Sequence, residues 1–78
     1  MAVKAYILIE AIIGQVAQVA AQVRTLPGVV EADVVAGPYD VVATIEADTP
    51  DLIGQLVMEQ IHRIAGVNYT MTCIVISG

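Results

Sequence analysis

A tight turn at the centre of the chain joins two similar halves. Residues 36–40, Ala-Gly-Pro-Tyr-Asp, combine a glycine that can take a positive φ with a proline whose φ is fixed near about −65°. Runs rich in β-branched residues flank it, Val29–Ala36 and Asp40–Ala47. We predict that these runs are two strands of a hairpin. Any fold that the chain adopts must therefore place these two central runs side by side as antiparallel strands.

Each half follows the order strand, helix, strand. The first half has a predicted strand at Val3–Glu10, then an amphipathic helix from Gln15 to about Thr25, then the strand before the turn. The second half has the strand after the turn, a helix at Pro50–Ile64 with Thr49 as its N-cap, and a strand at Val67–Ile76.

Both helices lead into the next strand through similar segments, Leu-Pro-Gly-Val at 26–29 and Ile-Ala-Gly-Val at 64–67. This repetition indicates two βαβ halves of similar build. Right-handed crossovers then predict an α+β, ferredoxin-like βαββαβ fold. Its four-stranded antiparallel sheet carries both helices on one face.

Alternation along each strand predicts which side chains face the helices. They are Val3, Ala5, Ile7 and Ile9, then Val30, Ala32, Val34 and Ala36, then Val41, Ala43, Ile45 and Ala47, and last Val67, Tyr69, Met71, Cys73 and Val75. The opposite face mixes apolar residues with charged ones. Its uncharged members are predicted to be Tyr6, Leu8, Val35, Val42, Thr44, Ile74 and Ile76. Such a mixture favours a subunit interface between two sheets.

The chain is more apolar than one small domain can bury. Its 78 residues, which we assign to a single domain at 1–78, are 58% hydrophobic with a mean hydropathy of +0.80. A domain of this size buries only about 60–65% of its unfolded surface. No apolar run reaches the roughly 18–20 residues of a membrane helix, because Glu10, Gln15 and later polar residues interrupt. We therefore expect a homodimer or larger assembly and no membrane partner.

Charge and cysteine content limit the partners further. The net charge is −5, with only Lys4, Arg24 and Arg63 as permanent cations, so we predict no direct binding of nucleic acid. The one cysteine, Cys73, cannot form an internal disulfide, which favours a cytoplasmic location. The first strand begins right after Met1, so we expect no signal peptide.

No catalytic set stands out. We expect the only histidine, His62, to be a solvated helix residue and Cys73 to be a buried, inert thiol. Ser77 is the only serine, and one His with one Cys makes no recognisable zinc site. We predict that the chain is not an enzyme and holds neither a metal nor a cofactor.

The remaining unusual polar groups lie in the central turn and the last strand. Asp40 could accept from an ammonium group, the N–H groups of Gly37 and Tyr39 could meet a carboxylate, and Thr70 and Thr72 share one strand face. An α-amino acid presents those two charges. The alternative is an ordinary hairpin turn beside threonines that favour strands.

Four segments, in order, carry a family resemblance. They are Ala5–Ile9, Leu26–Ala32 with its x-x-P-x-V-x-x-A pattern, Gly37–Val41 with G-x-[YF]-D-hydrophobic, and Ile64–Thr72 with I-x-G-V-x-x-T-x-T. The chain thereby resembles the ligand-binding domain, or RAM domain, of the Lrp/AsnC family of transcriptional regulators across nearly its whole length.

The resemblance implies a dimeric α+β barrel formed sheet to sheet, and rings that are commonly octamers of four dimers. It also implies an amino-acid effector bound where dimers meet, lined by the G-x-[YF]-D turn and the T-x-T strand. Carried over by position, the ligand-binding residues are Gly37, Tyr39, Asp40, Thr70 and Thr72, with Pro38, Val41 and Met71 as neighbours.

Full-length members carry a helix-turn-helix before this domain, whereas here the first strand follows Met1. We therefore expect a stand-alone version that modulates transcription indirectly, with full-length regulators as partners. Pro38 stiffens the turn and is expected to alter the pocket. Two alternatives stay open: an interaction subunit that binds no ligand, and an enzyme of the dimeric α+β-barrel type.

Overall fold

The computed structural model describes residues 2–77, one residue short of the predicted domain at each end. The strands are β1 (Val3–Ala11), β2 (Val29–Val34), β3 (Val41–Ala47) and β4 (Val67–Ile74). The helices are α1 (Val16–Val23) and α2 (Pro50–Leu56), and a π-helical turn at Val57–Ile61 continues α2. The antiparallel strands lie in the order β2-β3-β1-β4. The predicted ferredoxin-like α+β fold is confirmed.

The two central strands, β1 and β3, supply the floor of the core. Every second residue of each faces the helices, and the side chains that are 0% exposed are Ala5, Ile7, Ile9, Val41, Ala43 and Ile45. From the helices they meet Val19, Ala20, Val23, Ile53, Val57 and Ile61, also buried. Full burial of one such Ile or Val contributes about 1.5–3 kcal/mol. The predicted inward faces of β1 and β3 are confirmed.

The prediction for β2 is confirmed for two of its four inward residues. Ala32 and Val34 pair with the buried Ala43 and Val41 and so lie on the helix side, although Val34 is 53% exposed on this edge strand. Val30 is 59% exposed and Ala36 lies beyond the strand. The pairing of β2 with β3 shifts between Val29 and Glu31, so Val29 packs on the core instead of Val30. An irregularity of this kind reverses the alternation that a sequence pattern assumes.

The prediction for β4 is confirmed for Val67, which packs towards the core, and wrong for Tyr69, Met71 and Cys73, where the two faces are exchanged. Thr70, Thr72 and Ile74 pair with the buried Ile9, Ile7 and Ala5 and so lie on the helix side. Tyr69, Met71 and Cys73 pair with Glu10, Leu8 and Tyr6 on the other side. Directly opposed residues of an antiparallel pair share a face.

A bulge near the start of β4 contributes to this exchange. The register shifts between Glu10 and Ala11, so that Ala11 pairs with Val67 and Glu10 with Tyr69. Val67 therefore packs towards the core while Tyr69, two residues later, faces away. Asn68 lies at the bulge between them.

The repeated helix exits are confirmed by their backbone. Gly28 has φ +91° and Gly66 has φ +100°, so both take the left-handed conformation that other residues rarely adopt. The central turn differs from expectation, since Gly37 is not among the glycines with positive φ.

The second helix begins as predicted and ends differently. Thr49 Oγ1 accepts a hydrogen bond from the N–H of Leu52, 3.2 Å away, and Pro50 follows it as the first helical residue. We predicted one helix to Ile64, but α-helical geometry ends at Leu56 and the π-helical turn follows. One stripe of this helical segment is buried: Ile53, Val57, Ile61 and Ile64 are buried and Leu56 is partly buried.

The free edge of β2 is occupied by an arginine. The Nε–H of Arg24 donates to the carbonyl oxygen of Ala32 across 2.9 Å. Glu31 and Asp33 flank that carbonyl on the same edge strand. Charged side chains and an irregular register are the features with which sheet edges avoid pairing with other chains.

Replacing Gly66 with alanine tests the helix exit. A Cβ there would lie 3.0 Å from Val19 Cγ2 and closer still to the side chain of Gln15, at a strained φ of +100°. Gly66→Ala should lower the free energy of unfolding by about 1–3 kcal/mol. Gly54→Ala, the matched control, meets nothing within 4 Å and should raise it by about 0.5–1 kcal/mol, because alanine favours helix. Urea denaturation compares them; equal effects would contradict the strained exit.

Candidate functional site

Asp40 fastens the central turn to the end of β1. Its backbone N–H donates to Ile9 O at 2.9 Å, and its carbonyl oxygen accepts from the N–H of Val35 at 2.9 Å. Its carboxylate oxygen Oδ2 accepts from the backbone N–H of Ala11 at 2.8 Å. The carboxylate therefore holds the turn in place.

A cleft of about 680 Å³, which we call the turn cleft, lies beside this anchor. It is lined by Glu10, Ala11, Ile12, Ile13, Gly14, Val16, Pro38, Asp40 and Asn68. Its volume is in the range of small-molecule sites. The lining holds two carboxylates and no cation, and Asn68 Nδ2 donates to Glu10 Oε1.

The rim of the turn cleft is apolar and open to solvent. Ile13 is 98% exposed and Ile12 is 48% exposed. Two adjacent isoleucines at a loop tip expose apolar surface that a second subunit would cover favourably. Pro38, where the family pattern allows variation, lies in the same lining.

Tyr39 points to the other side of the sheet from the threonines. Its hydroxyl donates to Met71 Sδ at 3.7 Å, and Met71 lies on the face away from the helices. Met71 pairs with Leu8 on β1, so Tyr39 reaches to the outermost strand on that side. Tyr39 therefore contacts the sheet surface where we predict the dimer interface.

Thr70 and Thr72 share one strand face, as predicted, and that face is the helix side. Thr70 Oγ1 lies 2.6 Å from Nε2 of His62, which follows the π-helical turn. A second cleft of about 290 Å³, the strand cleft, is lined by His62, Val67, Asn68, Tyr69 and Thr70. His62 is exposed as predicted, but it is bound to a strand residue.

The structure divides the predicted site residues. Asp40 lines the turn cleft, Thr70 lines the strand cleft, and Asn68 lines both. Tyr39 and Thr72 line neither cleft, and a side chain at Gly37 would meet nothing within 4 Å. Neither of these two clefts, both formed by residues 2–77, holds the whole predicted set, so its role as one ligand site stays a prediction.

Sequence reasoning missed Asn68, His62, Ile12 and Ile13. An apolar pair directly before Gly14, at the end of a predicted strand, was the available signal for an exposed loop tip. Asn68 carried no signal, because its position depends on the bulge near the start of β4.

The side of the sheet away from the helices, here called the open face, is apolar along its middle. Its uncharged members are Tyr6, Leu8, Val42, Thr44, Tyr69, Met71 and Cys73. Its charged members, Lys4, Glu10, Glu31, Asp33 and Glu46, lie on the edge strand β2 or near strand ends. Lys4 Nζ lies 5.4 Å from the ring centroid of Tyr6.

The composition of the open face corrects two predictions. Cys73 is exposed on it and not buried, because the faces of β4 are exchanged. Tyr69 and Met71 take the place of the predicted Ile74 and Ile76, since Ile74 lies on the helix side and Ile76 follows the strand.

Within residues 2–77, no three His, Cys, Asp or Glu side chains lie together as a metal site would require. No helix in this range is long and apolar enough to cross a membrane.

Known protein families and relatives with similar sequences agree with the ferredoxin-like α+β fold. The family model described as the Lrp/AsnC ligand binding domain matches residues 4–78. The HTH-type transcriptional regulator PF0250 of Pyrococcus furiosus is 35% identical over 57 residues. Those residues are 73% of this chain but only 38% of that relative's length.

Solved structures show the same architecture. The crystal structure of FFRP-DM1 matches with a TM-score of 0.89 and 34% identity, covering 95% of this chain and 99% of that one. The transcriptional regulator NMB0573 of Neisseria meningitidis, solved as a complex with L-Met, matches with a TM-score of 0.85. That match covers 96% of this chain and 50% of the regulator at 18% identity, and it shows the shared fold.

Removing the Asp40 carboxylate tests the anchor. Asp40→Ala leaves the half-buried N–H of Ala11 without its acceptor, so the free energy of unfolding should fall by about 1–3 kcal/mol. Asp40→Asn keeps an acceptor oxygen and should retain most of the stability. Urea denaturation of both variants measures this, and equal losses would show that charge, not the hydrogen bond, fixes the turn.

Proposed function

The chain belongs to the Lrp/AsnC ligand-binding domain family, and on that premise we propose that it is a non-catalytic regulatory module. It binds an amino acid or a related small effector where subunits meet, and it modulates transcription in the cytoplasm without holding DNA itself. The net charge of −5 with three permanent cations supports the last point. The relatives named as transcriptional regulators support the regulatory role.

The turn cleft is the observation that carries this proposal. It combines carboxylates that can accept from an ammonium group with an apolar rim that is open to solvent. The rim contains an isoleucine that is 98% exposed, so one protomer supplies only part of the pocket wall, and a second dimer would supply the rest. The effector's side chain would then meet apolar groups from both dimers.

The open face supports the first step of assembly. The helices cover one side of the sheet, and the other side carries a continuous band of aliphatic, aromatic and sulfur-containing side chains. A homodimer formed sheet to sheet buries this band from water. The exposed Ile12 and Ile13 lie at the strand ends, so they remain available for contacts between dimers that close a ring such as an octamer.

A thermal-shift screen over the proteinogenic amino acids tests effector binding. L-methionine is included because a regulator of this fold has been solved with it. A ligand that binds only the folded protein raises its stability by about 2.7 kcal/mol at 100 times Kd. We expect at least one amino acid to raise the Tm of the wild-type protein.

Asp40→Asn should raise the Kd of that amino acid about tenfold, since it removes the charge that faces the ammonium while keeping an acceptor oxygen. Asp48→Asn is the matched control, because Asp48 is exposed and lies outside the turn cleft. No Tm response to any amino acid would contradict the proposal, as would equal affinity in both variants.

Light scattering tests the assembly. Leu8→Lys places a charge in the middle of the open face and should yield monomers at micromolar concentration. Val30→Lys, at a residue that is 59% exposed on the β2 edge, should keep the wild-type mass. Ile13→Asp should leave dimers without larger rings. A wild-type monomer would contradict the interface argument.

A second candidate function is an interaction subunit that joins full-length regulators and binds no ligand. PF0250 contains a segment 35% identical to this chain within a protein of which the match covers 38%. A domain that shares this fold can present a similar open face to a mixed dimer. This function would be favoured over effector binding if the chain formed mixed dimers with a full-length regulator and no amino acid raised its Tm.

A further inference from the structure

We propose that the free edge of β4 pairs antiparallel with the β4 edge of a second copy, and that this contact joins dimers into larger assemblies. The pairing rests on the proposed function, since its unit is the dimer formed sheet to sheet. Packing of that kind covers the open face of each sheet and leaves the edge strands unpaired. Because β4 is an edge strand, it stays accessible after the dimer has formed.

The outward backbone groups of β4 belong to three residues. The N–H of Val75, just after β4, donates to Lys4 O at 2.9 Å. In an antiparallel ladder each residue directs its N–H and its C=O to the same side, and successive residues alternate. Every second residue counted back from Val75 therefore bonds β1, and the others present both groups at the free edge: Ile74, Thr72 and Thr70. Within residues 2–77 no other strand lies beside them.

This edge lacks the protection that the other edge has. β4 is eight residues long, its ladder is regular from Tyr69 to Ile74, and residues 67–76 carry no charge. β2 is six residues long, carries two carboxylates, and has one outward carbonyl occupied by Arg24. A long, regular and uncharged edge strand is a template for pairing with another strand.

The residues of the β4 edge suit a second copy of the same strand. In an antiparallel pair the residues with outward groups must lie opposite one another, so a twofold contact brings Thr70, Thr72 and Ile74 against the same set. All three are β-branched and uncharged, and such cross-strand pairs stabilise a sheet. In a chain with a net charge of −5, an uncharged strand is also where two copies approach with least repulsion.

The edge contact is small and therefore needs the dimer. Three residues from each strand supply about six backbone hydrogen bonds, whereas a stable interface uses about 20–30 residues a side. Two protomers are not held together by this contact alone, so Leu8→Lys is still expected to be monomeric. Each dimer has two β4 edges, and several such contacts reinforce one another when dimers join.

The exposed loop tip enlarges the same surface. The N–H of Ile12 donates to Gly66 O at 2.7 Å, directly before β4 begins. Ile12 and Ile13 therefore lie beside the start of β4, where they add apolar area to the edge contact.

Proline at position 72 tests the edge. Thr72→Pro removes an N–H that β1 does not use, and proline is tolerated at such positions of edge strands. Val34→Pro is the matched control, because the N–H of the next residue, Val35, donates to Asp40 O and that of Val34 points out of the β2 edge. By light scattering over a concentration series, we expect wild type and Val34→Pro to form assemblies larger than dimers and Thr72→Pro to remain dimeric.

Thr72→Glu tests the same contact without changing the backbone. Thr72 is exposed, so a glutamate there is tolerated in one copy, but a twofold contact brings two such carboxylates near each other. At low salt we expect the concentration at which dimers join to rise about tenfold, with a smaller rise at high salt. Thr72→Gln, which is neutral and of the same shape, should join like wild type.

Hydrogen exchange measures the edge directly. The amides of Thr70, Thr72 and Ile74 gain acceptors when two edges pair, so they should exchange more slowly in the assembly than in dilute dimers. The amide of Val34, on the β2 edge, should exchange equally in both.

Four results would overturn the pairing. They are wild-type assembly by Thr72→Pro and Thr72→Glu together, loss of assembly in Val34→Pro, edge amides that exchange equally in both states, and a wild-type protein that stays dimeric at every concentration. In each case the response of the Tm to amino acids decides the proposed function separately. A wild-type monomer would overturn the pairing together with the proposed sheet-to-sheet dimer.

Discussion

The pairing of β1 with β4, and the bulge within it, decides what this domain presents on each side of its sheet. The shift between Glu10 and Ala11 turns Val67 inwards and Tyr69 outwards. It sets Thr70 beside the second helix and leaves Asn68 between two clefts. A regular ladder at this point would separate these groups, because each side chain would alternate to the opposite face.

The centre of the fold could be predicted from sequence, and the edges could not. β1 and β3 have a neighbour on each side and a strict period of two, so their inward residues were predicted correctly. β2 and β4 are edge strands, and the pairing of each with its one neighbour contains a register shift. On β4 both alternating sets favour strand conformation, so hydrophobicity alone chose the wrong face.

The candidate site was predictable only where a local motif marks it. The turn motif identified Asp40, and the T-x-T strand identified Thr70. The anchor from Asp40 to the N–H of Ala11 spans 29 positions in sequence, and the contact of His62 with Thr70 depends on a π-helical turn. Neither contact can be predicted from spacing along the chain, because both form only when separate elements pack together.

The arginine on the β2 edge has a consequence for how copies of this domain can aggregate. A sheet grows without limit only if both of its edges accept further strands. Here Arg24 occupies the Ala32 carbonyl between two acidic residues, whereas residues 67–76 of the β4 side contain no charged residue. If two copies paired through their β4 edges, both outer edges of the joined sheet would be β2 strands, where Arg24 and the acidic residues oppose further pairing. The β2 edge therefore works against growth of the sheet into a fibre.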